Sequence, residues 1–264
     1  MNYFLCEKIL KVQPIFSIIT VVFNGESYIE GTIQSVLNQT YPYVEYLIID
    51  GASKDKTVEI VKKYAEKHPI KWISERDKGL YDAMNKGLKM ATGDFVLFLN
   101  AGDRLISTDT LEKIAAQATP ITDVLYGETM LVDENYHHIG TRSELTVQKL
   151  PEQLTWQSMK NGMVVCHQSF LPHRKLTPQY LEGNLAADID WVIKCLQSAE
   201  NITNTHIVIS EYLMGGVSKK QHQQSLKDRY AILKMHFGFL PNIFNHIYIV
   251  WRAFWFKIFN KITY

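Results

Sequence analysis

Apolar positions along the first hundred residues switch between two periods. Phe16-Ser-Ile-Ile-Thr-Val-Val-Phe23 is a continuous β-rich run, the pattern of a strand covered on both faces. Ser27 to Gln39 carries Ile29, Ile33, Val36 and Leu37 at the spacing of one helix face. The exchange recurs as a strand over Tyr46–Ile49, a helix over Lys54–His68, a strand over Ile70–Ile73, a helix over Leu80–Ala91 and a strand opening at Phe95. This βαβαβαβ order predicts a parallel sheet with right-handed crossovers. Turn residues close each strand: Asn24-Gly25, Asp50-Gly51, Asp77-Lys78-Gly79 and Ala101-Gly102-Asp103. Parallel strands share their carboxyl ends, so the four tips gather on one edge, where open α/β sheets bind ligands.

Beyond about Thr119 the rhythm loosens. The pattern predicts a strand over Asp123–Gly127, a hairpin-like excursion over Thr129–Thr141 and a strand over Val164–Leu171 carrying His167. A helix over Ala186–Ala199 and a late strand at Ile207–Ile209 come next, then Gly215-Gly216 and a basic, polar stretch. From Asn242 to Ile262 aromatics dominate. At about 100° per residue, Phe244, Ile247, Trp251, Phe254, Trp255, Ile258 and Ile262 share one arc. Asn242, Asn245, His246, Lys257, Asn260 and Lys261 share the opposite arc, which Ile249 and Phe256 interrupt. A Trp- and Phe-rich face beside Lys and Arg suits a helix in the membrane interface. A helix packed on the protein's own core, or on a second subunit in a homodimer, has the same pattern.

Composition narrows the class. The 264 residues, 46% apolar, suffice for one large core, and a net charge of +1 excludes a general nucleic-acid binder. Cys6, Cys166 and Cys195 lie far apart without a CxxC pair, so neither disulfides nor zinc are expected and a reducing compartment suits them. The start, MNYFLCEKILKVQP, has charges inside its short apolar stretch and no small-residue cleavage site, so no signal peptide is expected. Nor does any apolar run reach the roughly 18 residues of a spanning helix. A cytoplasmic α/β enzyme is the expectation.

Carboxylates at the strand tips supply the candidate chemistry. Asp103 follows the buried run from Phe95 to Leu99, a place from which an acid holds a divalent metal against a diphosphate. Asp50 either accepts a hydrogen bond from a base or ribose or serves the turn, with Ser53 or Asp55 capping the next helix. Asp77 precedes Gly79 and a helix whose dipole favours an acid. Asp188 and Asp190, in AADIDWV, open a helix and face different sides, so either one reaches the crevice as a general base while the other caps the helix, or both cap it. His167, in CHQSF, is a structural histidine or an acceptor contact. Lys219, Lys220 and His222, in GGVSKKQHQQS, either close over a diphosphate or form a solvated basic loop. GxGxxG and GxxxxGK[ST] are both missing, which excludes an ordinary dinucleotide fingerprint and a P-loop.

The strings SIITVVFNGESYIEGTIQSVLNQTY, IIDGASKDKT, SERDKGLYDAMNKGLKMATGDFVLFLNAGD and AADIDW resemble, in that order, the family 2 inverting glycosyltransferases of bacterial surface polysaccharide assembly, of the colanic-acid, O-antigen or capsule type. The resemblance covers about residues 15 to 215. It implies a GT-A fold: one Rossmann-like, mixed, mostly parallel sheet flanked by helices, here with a C-terminal amphipathic helical segment. It further implies an extension over 1–14, a nucleotide-sugar-binding half over 15–118, an acceptor half over 119–218, and a basic loop with amphipathic helices over 219–264. By motif position, Val21, Phe23 and Asn24 line the base of a nucleotide-sugar, a UDP-sugar above others, and Asp50 binds that base. Asp77 falls in a donor loop. Asn100, Ala101, Gly102 and Asp103 match the metal motif, and Asp188 the catalytic base.

The family commonly carries two or three acids in the metal motif, whereas here only Asp103 remains. One carboxylate suffices for Mg²⁺ or Mn²⁺ when substrate phosphates complete the shell. The QxxRW motif of processive synthases is absent, so non-processive transfer of a hexosyl or N-acetylhexosaminyl group is expected. The acceptor implied is a glycan or a polyprenyl-diphosphate-linked chain, reached peripherally on the inner face of the cell membrane. Two alternatives share the plan. A sugar-nucleotide nucleotidylyltransferase lacks its Gly-rich, Arg-containing signature here, and a catalytically weak nucleotide-sugar-binding homologue would not need Asp188 beside Asp103.

Overall fold

The computed structural model describes residues 13–214 and 222–260. Strands β1 (Phe16–Val22), β2 (Val44–Asp50), β3 (Ile70–Ser74) and β4 (Phe95–Phe98) form a parallel sheet in the order β3-β2-β1-β4. Helices α1 (Ile29–Leu37), α2 (Thr57–Ala65) and α3 (Leu80–Met90) are its crossovers. Central β1 is buried along its whole length, and the two-residue period divides its side chains between two cores. Ile19 and Val21 pack with Tyr81 and Met84 of α3, while Phe16, Ile18 and Val22 pack with Ile29 and Ile33 of α1. That two-sided burial is why the strand reads as an unbroken apolar run.

A second sheet holds β5 (Arg104–Leu105), β6 (Val124–Val132), β7 (His138–Thr141), β8 (Phe170–Pro172) and β9 (Ile202–Leu213). Its order is β5-β9-β6-β7, with β8 also on β6, and only β6 and β9 run parallel. An antiparallel bridge between Phe95 and His173 joins the two sheets. Helices α4 (Thr110–Ala115), α5 (Arg142–Leu145) and α6 (Ala187–Ser198) complete the α/β body, and α7 (His222–Phe237) and α8 (Phe239–Asn260) close the chain.

Two expectations need correction. Val164–Leu171 is not a strand: His167–Ser169 form a 3₁₀ turn and only Phe170–Pro172 pair. The buried side chains of Gln168 and Ser169 bond to Asp103 and to Thr129 and Ser210, which needs a turned rather than an extended backbone. The late strand spans twelve residues rather than three, because β9 is only half covered and carries polar residues between its apolar ones. Helix α7, within the segment expected to hold amphipathic helices, buries Ile232 and Leu233.

Candidate active site

The carboxyl ends of β1, β2 and β4, with the start of α3, form one rim. At the tip of β1, Asn24 takes a left-handed φ of 49° and its amide donates to Ser53 Oγ at 2.7 Å. In return the Lys54 amide donates to Asn24 Oδ1 at 2.9 Å, and the Gly25 amide donates to Thr57 Oγ1 at 2.9 Å. Val21 is buried, and its carbonyl accepts from the Ala101 amide at 3.2 Å. Val21 and Asn24 therefore hold the rim together, while the Phe23 ring, 62% exposed, stands out from it.

Asp50 ends β2 almost fully buried. Its Oδ2 accepts from the Ser53 amide at 3.0 Å and from Ser74 Oγ at 2.6 Å, whereas its Oδ1 is buried without a donor. At Gly51 any Cβ would overlap the Asp77 carboxylate and come within 3.3 Å of the Phe23 ring. That close approach is what the glycine permits, and it brings Phe23 and Asp77 together at the turn that follows Asp50. Asp77 Oδ1 accepts from the Gly79 amide at 3.0 Å, bracing the entry to α3.

After β4 the chain turns through Asn100 to Asp103, with the Asp103 amide donating to the Asn100 carbonyl at 2.9 Å and Gly102 at a φ of 106°. The Gly102 amide donates to Thr32 Oγ1 at 3.0 Å, and that hydroxyl donates to the Asp103 carbonyl at 2.8 Å. Tyr136 donates to the Gly102 carbonyl at 2.9 Å while the Arg104 guanidinium stacks on its ring. The Asp103 carboxyl is 5% exposed. Gln168 Nε2 donates to its Oδ2 at 3.0 Å and the Leu213 amide to its Oδ1 at 3.3 Å. Burial outweighs those bonds and pushes its pKa up to about 7, since among the described residues no cation pairs with it. Beside it, Asn100 Nδ2 lies 3.4 Å from His167 Nε2, and Asn100 Oδ1 is buried without a donor.

Asp188 lies in the first turn of α6, half-buried, its Oδ1 accepting from the Ile189 amide at 2.9 Å. Burial, and then the Asp188 charge, push the Tyr81 hydroxyl upward. Burial lowers the His167 imidazole against the pull of Asp188, so the ring is neutral at physiological pH. Tyr212 is pushed up to about 12 by burial first, then by Asp103, Cys166 and Asp188. One tyrosine thus senses the charge of both acids.

Asp190 is engaged elsewhere. It is fully buried, bonded to His236 at 2.7 Å and paired with Lys194 at 2.8 Å. Burial opposes ionisation, yet these two partners hold its carboxyl below the usual range. Asp190 ties α6 to α7. Asp190→Ala strands two donors and lowers stability by about 3–5 kcal/mol, read as a fall in the denaturant midpoint, without the turnover defect of a catalytic change. Lys219 lies outside the described residues, as does the His222 side chain; His222 is described only as the first residue of α7.

Four contributors were not legible beforehand: Gln168, Tyr212, Tyr81 and Thr32. Gln168 alone left a trace, a polar residue inside an otherwise apolar stretch. The others occupy positions that read as ordinary strand or helix surface until the tertiary fold gathers them.

The model of the family "Glycosyl transferase family 2" matches residues 17–178, more than half of the chain. The chain belongs to glycosyl transferase family 2. This glycosyltransferase is 32% identical over 216 residues to the PGL/p-HBAD biosynthesis glycosyltransferase of Mycobacterium bovis, covering 78% of this chain and 79% of that one. Among solved structures it resembles S. aureus TarS 1-349 in complex with UDP-GlcNAc, with a TM-score of 0.65 and 22% identity. The match covers 84% of the glycosyltransferase and 65% of the TarS chain, slightly under two thirds. It also resembles the mannosyltransferase PcManGT from Pyrobaculum calidifontis in complex with GDP-Man and Mn²⁺, with a TM-score of 0.67 and 18% identity over 92% of this chain and 72% of that one. These likenesses give the family 2 enzyme a GT-A-like fold.

Proposed function

We propose that this glycosyltransferase moves one sugar, with inversion, from a UDP-sugar to a glycan or polyprenyl-diphosphate-linked acceptor in surface polysaccharide assembly, working at the inner face of the cell membrane. The observation that carries the reading is the buried Asp103 carboxyl at the β4 tip, bonded to Gln168 and the Leu213 amide, on the rim where Phe23 and Asp77 meet at Gly51.

The choice of base rests on Asp50. One of its oxygens is taken twice and the other is unpartnered. A single acceptor matches the lone imide N–H of uracil or thymine better than the two adjacent donors of guanine, which call for both oxygens. Phe23 and Asp77 meet at the next residue, Gly51, and the UDP-GlcNAc bound by TarS favours uracil.

Among the described residues no three His, Cys, Asp or Glu side chains make a metal cage. The residues present fit a cation that takes most of its ligands from phosphate and water: a buried carboxyl lacking a positive partner, next to the orphaned Asn100 Oδ1. Mg²⁺ or Mn²⁺ held by Asp103, with Asn100 beside it, supplies neutralisation of the departing nucleoside diphosphate. The chain does the rest. Asn100 to Gly102 present the rim against the diphosphate. Asp188 takes the proton from the acceptor hydroxyl as that oxygen bonds to the anomeric carbon, and the bond from that carbon to the diphosphate oxygen breaks on the opposite face, releasing UDP. Neutral His167, between Asn100 and Asp188, adds no positive charge to weaken the base.

Calorimetric titration with UDP and GDP in the presence of Mn²⁺ tests the donor assignment. Binding of UDP at least about tenfold tighter, the worth of about 1.4 kcal/mol, is expected. Tighter binding of GDP overturns the base assignment, and binding of neither overturns the donor site.

A further inference from the structure

Helix α8 is inside out. Leu240, Phe244, Ile247, Trp251, Phe254 and Ile258 are all between 49% and 70% exposed, and they line one side of the helix. With Tyr248 and Val250, which are also exposed, the face spans an arc of about 160° at about 100° per residue. The side turned to the protein carries polar Asn242 and His246, with half-buried Ile249 and Phe256 among them. Asn242 is fully buried, and its Nδ2 donates to the Tyr230 carbonyl at 3.3 Å. The His246 ring meets Tyr230 edge-on at 4.9 Å. A helix that covers its own core does the opposite, and a continuous exposed patch of this kind marks a binding surface.

We infer that the outward face of α8 docks in the interfacial layer of a lipid surface carrying anionic headgroups, the helix lying in its plane. The inference is independent of the proposed reaction. No described helix is long and apolar enough to cross a membrane, so α8 lies on the surface. Charge selects the occupant. Along α8, at about 100° per residue, Arg252 and Lys257 stand just outside the two edges of that face, and the helix carries no acid. A second copy would set cations against cations, whereas an anionic headgroup supplies the missing negative charge, worth about 1 kcal/mol for each basic residue near the surface.

Width and residue type agree. A coiled-coil seam takes two aliphatic positions in seven and flanks them with charges of both signs. This face is broader, and its Tyr248, Trp251 and Phe254 are rings, two of them with a polar edge suited to the headgroup level.

The docked plane is not free to swivel relative to the active site. His236 of α7 bonds to Asp190 of α6, and the Leu185 amide, three residues before Asp188, donates to Asp228 of α7 at 2.8 Å. Just before α8, Phe237 stacks on Trp156 at 5.3 Å. A lipid-borne substrate would therefore meet Asp188 at a set height above the surface.

Sedimentation of the full chain with phosphatidylcholine vesicles, with and without phosphatidylglycerol, tests this. Binding to the anionic vesicles is expected, weakened by salt, with a blue shift of tryptophan emission. The double variant Trp251→Ser/Phe254→Ser loses at least about tenfold in vesicle affinity with an unchanged thermal midpoint, and Phe244→Ser/Ile247→Ser does the same. Equal affinity for neutral and anionic vesicles, or no binding by a chain whose midpoint is normal, overturns the inference. A concentration-dependent dimer that either double variant dissolves assigns the face to a second copy instead.

Discussion

Asp188→Asn lowers kcat by about 10²–10⁴-fold, the usual worth of a general base, while the Kd for UDP stays within about threefold. The asymmetry comes from where Asp188 stands. It opens α6, on a different element from Phe23, Asp50 and Asp77, and its Oδ1 is held by the next amide in its own helix turn. Asn can keep that bond through its own oxygen, so fold and donor contacts survive. The loss is the capacity to accept a proton. Asp190→Ala separates chemistry from stability: two residues along the same helix, it weakens the fold through His236 and Lys194. A variant at 188 that turns over at near-normal rate with its fold intact removes Asp188 from the base role. One that loses stability as Asp190→Ala does would mark it as structural.

Asp103→Asn is expected to abolish UDP-dependent Mn²⁺ binding and to lower kcat by at least about 100-fold, since the cation contributes several kcal/mol of leaving-group stabilisation and about 1.4 kcal/mol is tenfold. Gln168 and the Leu213 amide both donate to this side chain. An Asn at 103 turns its own NH₂ on one of them and has no charge for a cation.

Proton and metal compete at the same carboxyl, whose pKa lies near 7 through burial. Mn²⁺ affinity in the presence of UDP therefore falls as pH drops from 8 to 6. Stability without metal has the opposite slope. The folded carboxyl holds a proton that the unfolded chain releases near pH 4, so Asp103 favours the folded state less and less as pH rises towards about 7 and levels off above it. Isothermal titration at two pH values, with thermal melts of the metal-free protein, checks both signs. Metal binding by Asp103→Asn equal to that of the unmodified chain would move the cation elsewhere.

Legibility in the sequence tracked two-sided burial. β1, β2 and β4 run through covered cores and show as unbroken apolar runs, and α1 and α3 show the helical spacing of residues packed on them. β9 is half covered and surfaced as only three residues of its twelve. β5, two residues long, is held by pairing to β9 and has no periodicity to read. Residues 167–169 misled because apolar neighbours suggest a strand, whereas Gln168 and Ser169 turn inward to partners that lie far away in sequence.

The same distinction governs the site. Acids at strand tips were visible because turn chemistry exposes them: Asp50, Asp77, Asp103 and Asp188 all stand at element ends. Their partners were not. Nothing local says that Gln168 and Leu213 reach Asp103. Those relations exist only after β9 and the 3₁₀ turn are folded against the β4 tip. The inversion of α8 was half legible, in that its two arcs were evident but which of them faced outward was not.

A crystal structure of the full chain with UDP and Mn²⁺ is the most direct measurement. Expected is the uracil imide N–H on Asp50 beside Phe23 and Asp77, the cation between Asp103 and the diphosphate, and the Asp188 carboxylate facing the β-phosphate across a gap the size of one sugar ring. A nucleotide lodged away from the β1 and β4 tips, or an Asp188 carboxylate separated from the diphosphate by a protein wall, would contradict the assignment.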